Sequence, residues 1–327
     1  LSEREVKKLF QIVKELKEKK GISFIFISHK MDEIFSLCDD IIILRDGAVT
    51  LDKEVKDTSL NELVAAMVGR SLDSRFPPLT NTPSEVILEV NNLATRYQPK
   101  LENISFNLKK GEILGIYGLV GAGRSELLES LFGVRQIAEG KITYQGKRIR
   151  FKSSKEAMDN NFAFVTEERK VNGMFNKSDL VFNTCITNLD KYTNYGLISN
   201  SLMEKAAKRE INAMHVKCSS ENDNISSLSG GNQQKIIIGK WLERSPDVFL
   251  MDEPTRGIDI MAKYQIYELM ISLASKGKSI IMVSSEMPEI LGITNRIVVM
   301  SNYRVAGVVD TKSTTQEELM HLCTKYL

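Results

Sequence analysis

No apolar run in this sequence approaches the roughly 18–20 residues that a membrane-spanning helix needs. A role at a membrane would therefore call on another subunit for the membrane part. A signal peptide is also lacking, and the first residue is Leu rather than Met. Cysteine is scarce: Cys38, Cys185, Cys218 and Cys323 stand far apart with no CxxC spacing. That speaks against a zinc site or a disulfide framework and fits reduced thiols in the cytosol. Charge of one sign is lacking too, with 44 Lys and Arg against 42 Asp and Glu and a net charge of +2. The balance gives no reason to expect a nucleic-acid partner. Local charge runs such as Lys17-Glu18-Lys19-Lys20 read as the solvated end of a helix.

What is present is a soluble-globular composition, 42% hydrophobic and 26% charged over 327 residues. Short apolar runs at 86–90, 104–108, 112–118, 162–165, 248–251, 279–283 and 296–300 alternate with helical stretches. This alternation predicts an α/β fold with a largely parallel sheet covered on both faces. Between Ser153 and about residue 230 the chain is more polar and reads as a mostly helical insertion. Residues 71–84 hold three prolines among small polar residues, a loop or linker composition.

The chain also repeats itself. Phe24 to Ile34 reads against Ile280 to Ile290, and the offset of 256 holds through Glu62 and Glu318. Three regions are therefore expected. Residues 1–75 form the C-terminal part of one copy, 76–84 a linker, and 85–327 a complete second copy. The first copy lacks a phosphate loop and the strings described next.

Three strings carry chemistry. Gly118-Leu119-Val120-Gly121-Ala122-Gly123-Arg124-Ser125 follows an apolar run and opens a helical one, as a phosphate-cradling loop requires. Its backbone N–H groups can converge on phosphate oxygens, and Ser125 can ligate Mg²⁺. Arg124 stands where such loops carry Lys, keeping the charge but not the compact shape. Leu228-Ser229-Gly230-Gly231-Asn232-Gln233-Gln234 opens a second helix, offering free N–H groups and a hydroxyl to an anion. About twenty residues on, Val248-Phe249-Leu250-Met251 delivers Asp252 and Glu253, a pair suited to holding a metal and orienting water.

In this order and spacing the strings resemble the phosphate loop, signature and Walker B motifs of ABC-type ATPases. More closely, Gly118 to Glu126, Thr166 to Arg169, Leu228 to Lys235 and Asp252 to Asp259 are similar to the second half of the duplicated ATP-binding subunits of bacterial sugar importers. The ribose/xylose/galactose class is meant, and the closing text looks most like its galactose/methyl-galactoside branch. The resemblance implies an ABC-type P-loop ATPase fold with an antiparallel β part and a helical insertion. It also implies ATP and Mg²⁺ as cofactors, and sugar-permease subunits as partners at the cytoplasmic face of the inner membrane. A sugar-binding protein would be an indirect partner, and a second copy of the chain is possible.

The resemblance assigns roles as well. Gly118, Gly121, Ala122, Gly123, Arg124, Ser125 and Glu126 would bind nucleotide, and Ser229, Gly230, Gly231 and Gln233 would serve the nucleotide of the opposing copy. Tyr97 stands where an aromatic stacks on adenine; an ordinary half-buried tyrosine is the other reading. Asp252 and Ser125 would hold Mg²⁺, and Glu253 would polarise water. Glu167 occupies the place of a Mg²⁺- and water-contacting Gln. Ser285 replaces a γ-phosphate-sensing His, which the first copy retains as His29. Phe175, Leu180, Val181 and Phe182 line either a groove for a membrane subunit's helix or the core of the insertion. Two further readings stay open: a soluble tandem ABC ATPase uncoupled from transport, and a nucleotide-binding regulatory module.

Overall fold

The computed structural model describes residues 3–28, 31–45, 47–59, 62, 63, 66 and 76–327. The chain divides into two compact units, residues 1–75 with 259–261, and residues 76–258 with 262–327.

In the first unit, α1 (Glu3–Lys20) ends on Lys17, Lys19 and Lys20, exposed cations that complement the helix C-terminus. A short α2 (Met31–Leu37) leads into the antiparallel hairpin β1 (Asp40–Arg45) and β2 (Ala48–Glu54). Ile34, Ile41, Ile43, Val55 and Leu63 form its small core. Residues 21–28 are not a strand, and Ile25 and Ile27 are 98% and 93% exposed. Their counterparts by the 256-residue offset, Ile281 and Val283, lie in a strand that pairs on both sides. No such neighbours flank residues 24–28 among the described residues of the first unit.

The second unit contains two larger sheets and a small two-stranded one. An antiparallel one has the order β4-β3-β6-β7, formed by β3 (Val86–Thr95), β4 (Ile104–Lys109), β6 (Ile137–Tyr144) and β7 (Lys147–Ile149). The six-stranded sheet has the order β14-β13-β5-β12-β11-β8. Its strands are β5 (Ile113–Gly118), β8 (Phe162–Val165), β11 (Val248–Asp252), β12 (Ser279–Val283), β13 (Arg296–Ser301) and β14 (Arg304–Asp310). All pairs in it are parallel except β13–β14. Every residue of β5, β8, β11 and β12 is buried, which is why they read as unbroken apolar runs rather than alternating ones.

Helices α3 (Arg124–Leu131), α4 (Ser154–Asp159), α8 (Ile260–Ser275), α9 (Met287–Ile293) and α10 (Gln316–Cys323) belong to the sheet's connections and its end. The helical arm carries α5 (Leu180–Cys185), a two-residue hairpin of β9 (Thr193–Asn194) and β10 (Leu197–Ile198), α6 (Asn200–Ala213) and α7 (Gly230–Leu242). One boundary differs from expectation. The stretch predicted as insertion from residue 153 contains α4 and β8, and β8 pairs with β11 in the central sheet. Residues 162–165 are legible as an apolar run, but the polar stretch around them hides that this edge strand belongs to the central sheet. The helical arm therefore begins after Val165.

The repeat is visible in three dimensions. β1 pairs with β2 as β13 pairs with β14, residue for residue at the same offset. The same irregularity falls between Ile43 and Leu44 and between Val299 and Met300. Helix starts match too: Glu62 N–H donates to Ser59 Oγ and Glu318 N–H to Thr315 Oγ1, both at 3.2 Å. A shared bulge is a conserved device of strand pairing, and the hairpins of 40–54 and 296–310 share it.

Candidate nucleotide site

Parallel strands that end side by side deliver their following loops to one edge of the sheet, the usual ligand position in open α/β folds. Here the register sets Asp252 beside Val283, and Val283 beside Ile116. The phosphate loop after β5, the Asp252–Glu253 turn after β11 and the Ser284–Ser285 loop after β12 therefore lie next to one another.

The phosphate loop is braced from below. A Cβ on Gly118 would stand 2.5 Å from the Met300 carbonyl oxygen, so only glycine lets the loop leave the sheet here. Tyr303 N–H donates to the carbonyl of Ala122, a buried residue, at 3.0 Å. Gly123 caps α3, presenting that helix's N-terminal N–H groups. Glu126 stands in the first turn, where a carboxylate complements the helix dipole.

Arg124 turns back over the site. Its Nη1 donates to the Ser284 carbonyl at 3.1 Å and lies 3.8 Å from Glu253 Oε1. Ser285 Oγ donates to Glu253 Oε2 at 3.2 Å. Both carboxylate oxygens of Glu253 thus have a partner. Glu253 itself sits at φ 46°, a left-handed conformation that costs a non-glycine residue about 1–2 kcal/mol. Burial pushes its carboxyl upward, and Arg124 and Ser285 act against that shift.

Asp252 is 3% exposed, and its Oδ1 has no hydrogen-bond partner among the described residues. Burial, together with the charges of Glu167 and Glu253, pushes its carboxyl up to about 7, against the opposing effect of the Ser125 hydroxyl. A buried carboxylate with an unpartnered oxygen near a serine hydroxyl fits a hard divalent cation. No group of three or more His, Cys, Asp or Glu able to hold a metal occurs among the described residues. A cation here would draw on Ser125, Asp252 and oxygens from outside the chain, the pattern of Mg²⁺ bound with phosphates.

Glu167 is near enough to act electrostatically on Asp252, but its own carboxylate pairs with Arg256, which also approaches Glu168 at 3.5 Å. Tyr97 is 57% exposed, with the Arg96 guanidinium 5.5 Å from its ring centre. It is therefore open to a planar ligand rather than packed in the core. His29 lies outside the described residues.

The signature residues sit on another element, the start of α7. Ser229 is its N-cap residue, exposed, with Oγ accepting from Asn232 at 3.0 Å. A Cβ on Gly230 would lie 2.7 Å from an Arg169 Nη2 atom, and Gly231 is buried. Arg169 donates to the carbonyls of Gly230, Arg256 and Gly257 at 3.4, 3.4 and 3.2 Å, stapling the loop after β8 to the signature and to the turn after β11. Gln233 points inward instead of outward: 5% exposed, its amide donates to the Ile225 and Leu228 carbonyls at 3.2 and 3.1 Å. It shapes the signature loop from inside.

Phe175, Leu180, Val181 and Phe182 divide into a buried and a more exposed pair. Leu180 and Val181 are buried, whereas Phe175 is 52% exposed and packs edge-on against Phe182 at 5.2 Å. Sequence reading passed over Arg256, Arg169 and Tyr303. The first two stand inside quoted strings, and their charge in a Gly-rich context was the available signal.

A Gly-rich strand–turn–helix, an acidic pair at the end of a strand two places away in the same sheet and a helical arm carrying a second Gly-rich helix start define the architecture of an ATP-binding cassette. A nucleotide-free ATP-binding cassette from an ABC transporter has this fold, with TM-score 0.61 and 20% identity over 73% of this chain and 95% of that one. The family model for ABC transporters matches residues 101–256 of this chain. It is 63% identical over its full length to the galactose/methyl galactoside import ATP-binding protein MglA of Treponema denticola, and 61% identical to that of Treponema pallidum. It spans 66% of the length of each of these relatives.

Proposed function

We propose that this chain is part of an ATP-binding and ATP-hydrolysing subunit that energises import of a sugar through membrane permease subunits. Galactose or a methyl galactoside is the proposed cargo, because the relatives at 61–63% identity carry those names. Residues 1–75 would be the C-terminal part of a first cassette and 85–327 a complete second one. The matching register and bulge of their hairpins support this. The subunit would sit peripherally at the cytoplasmic face of the cell membrane, with a sugar-binding protein as an indirect partner. No helix among the described residues is long and apolar enough to cross a membrane.

The observation that carries the nucleotide reading is the orphaned, buried Oδ1 of Asp252 beside Ser125, at the strand ends that present the phosphate loop. Ser125 and Asp252 would hold Mg²⁺, with Glu167 as an outer ligand. Bound there, Mg²⁺ neutralises phosphate charge. Arg124 supplies a cation to the phosphates, and the N–H groups of 121–125 cradle them. Tyr97 offers its exposed ring to the base. Glu253 would polarise an attacking water, since phosphoryl transfer rests on positioning and charge. Ser229, Gly230 and Gly231 would complete a nucleotide site whose phosphate loop belongs to the first copy.

We further propose that the two sites differ. In the second, Arg124 and Ser285 both hold Glu253, so this site mainly binds, while the site containing His29 hydrolyses. In the full-length protein, Glu253→Gln should then lower turnover less than His29→Ala does. Equal collapse of ATPase rate from the two substitutions would remove the asymmetry. A nucleotide-binding regulatory module draws on the same doubly held Glu253; absence of a co-purifying permease together with absence of turnover would favour it.

A further inference from the structure

Five residues beyond Ser284, on α9, Glu289 is 2% exposed and surrounded by four donors. Its Oε1 accepts from Thr255 Oγ1 at 2.9 Å, Lys263 Nζ at 2.7 Å and Tyr267 Oη at 2.6 Å. Its Oε2 accepts from Thr255 Oγ1 and Ser284 Oγ, both at 2.8 Å. Thr255 and Ser284 are themselves buried. Burial alone would raise the Glu289 carboxyl, but the Lys263 ammonium and the hydroxyls hold it below the usual range.

Each partner leads to a different piece of the nucleotide site. Thr255 lies two residues past Glu253. Ser284 precedes Ser285, and its carbonyl receives Arg124. Lys263 and Tyr267 anchor the carboxylate to α8, and Lys263 also pairs with Glu286 at 2.6 Å. A buried ion pair is weak evidence of stability, because an apolar pair of like volume often does as well. What an apolar side chain cannot do is accept from two loops at once. The first unit has the bond at the matching positions: Ser28 Oγ donates to Glu33 Oε2 at 2.7 Å.

We propose that Glu289 is a positioning residue that fixes the Glu253 turn and the Ser284–Ser285 loop relative to each other, so that Arg124, Glu253 and Ser285 meet. This rests on the nucleotide reading above. The 327-residue chain holds one phosphate loop, so binding of a fluorescent ATP analogue with Mg²⁺ reports on this site. Glu289→Gln keeps the shape but puts an NH₂ group against one of the donors. Its affinity should fall by about five-fold or more. Ser284→Ala and Thr255→Val should each weaken binding, and their effects should fail to add, because both act through one carboxylate. On the Glu289→Gln background Ser284→Ala should cost nothing further. Where Glu289→Gln does not fold, the Ser284–Thr255 cycle carries the same test. Additive losses, or unchanged affinity with only a lowered melting temperature, would overturn the role of Glu289. Failure of the unsubstituted chain to bind at all would instead overturn the nucleotide reading.

Discussion

Ser285 Oγ donates to Glu253 Oε2 at 3.2 Å, joining the loops that follow two neighbouring parallel strands. With Arg124 3.8 Å from the other oxygen, Glu253 is fixed from both sides in a strained turn. One nitrogen of Arg124, Nη1, meets both the Ser284 carbonyl and the Glu253 carboxylate. The two departures from the expected motif, at 124 and 285, therefore converge on a single carboxylate.

Tyr97 tests the base-binding end. Its ring is largely exposed, so Tyr97→Ala should leave stability within about 0.5 kcal/mol. Stacking of a base on an aromatic ring contributes about 1–3 kcal/mol, so ATP affinity should fall about five-fold or more. Tyr97→Phe should retain it. Isothermal titration with both variants checks this, and equal binding by Tyr97→Ala would remove Tyr97 from the site.

Gly118→Ala should destabilise the second unit by about 1–3 kcal/mol, the range for overpacking. Its Cβ would meet backbone, the Met300 carbonyl, which cannot swing aside. Gly230→Ala meets only the end of the Arg169 side chain, so its cost should be smaller and should be relieved by Arg169→Ala. Urea unfolding of the three variants separates the cases.

Lys240 sets a pH dependence. It is 8% exposed, its ammonium donates to the Gly173 carbonyl at 2.7 Å, and burial lowers it to about 8 from the ordinary 10.5. Between these values the unfolded chain binds the proton and the folded chain does not, so stability rises with pH across that window. The rise from this group is on the order of 3 kcal/mol. Lys240→Met should flatten the slope between pH 8 and 10 relative to the unsubstituted chain, as measured by urea unfolding at each pH. An unchanged slope would mean that Lys240 titrates normally.

Much of this was legible in the sequence because buried parallel strands and glycine-rich turns leave local marks. The apolar runs before Gly118 and Asp252 could come only from strands covered on both faces. β8 was readable as a strand, yet its polar surroundings placed it in the wrong layer. The hairpin of β6 and β7 and the strand β14 left weaker marks, since their residues alternate or face solvent. Side-chain direction was out of reach: nothing local indicates that Gln233 turns inward or that Glu289 gathers donors from three elements. Residues 24–28 show the opposite limit. Their apolar sequence matches a central strand, but a strand forms only where neighbours pair with it.

The most direct test is to give the purified 327-residue chain Mg²⁺ and ATP, then measure nucleotide binding and phosphate release together. Weak binding that Asp252→Asn reduces, with little phosphate released, is the predicted result. Robust turnover by this chain would contradict the account, because Glu253 would then be free to act despite Arg124 and Ser285.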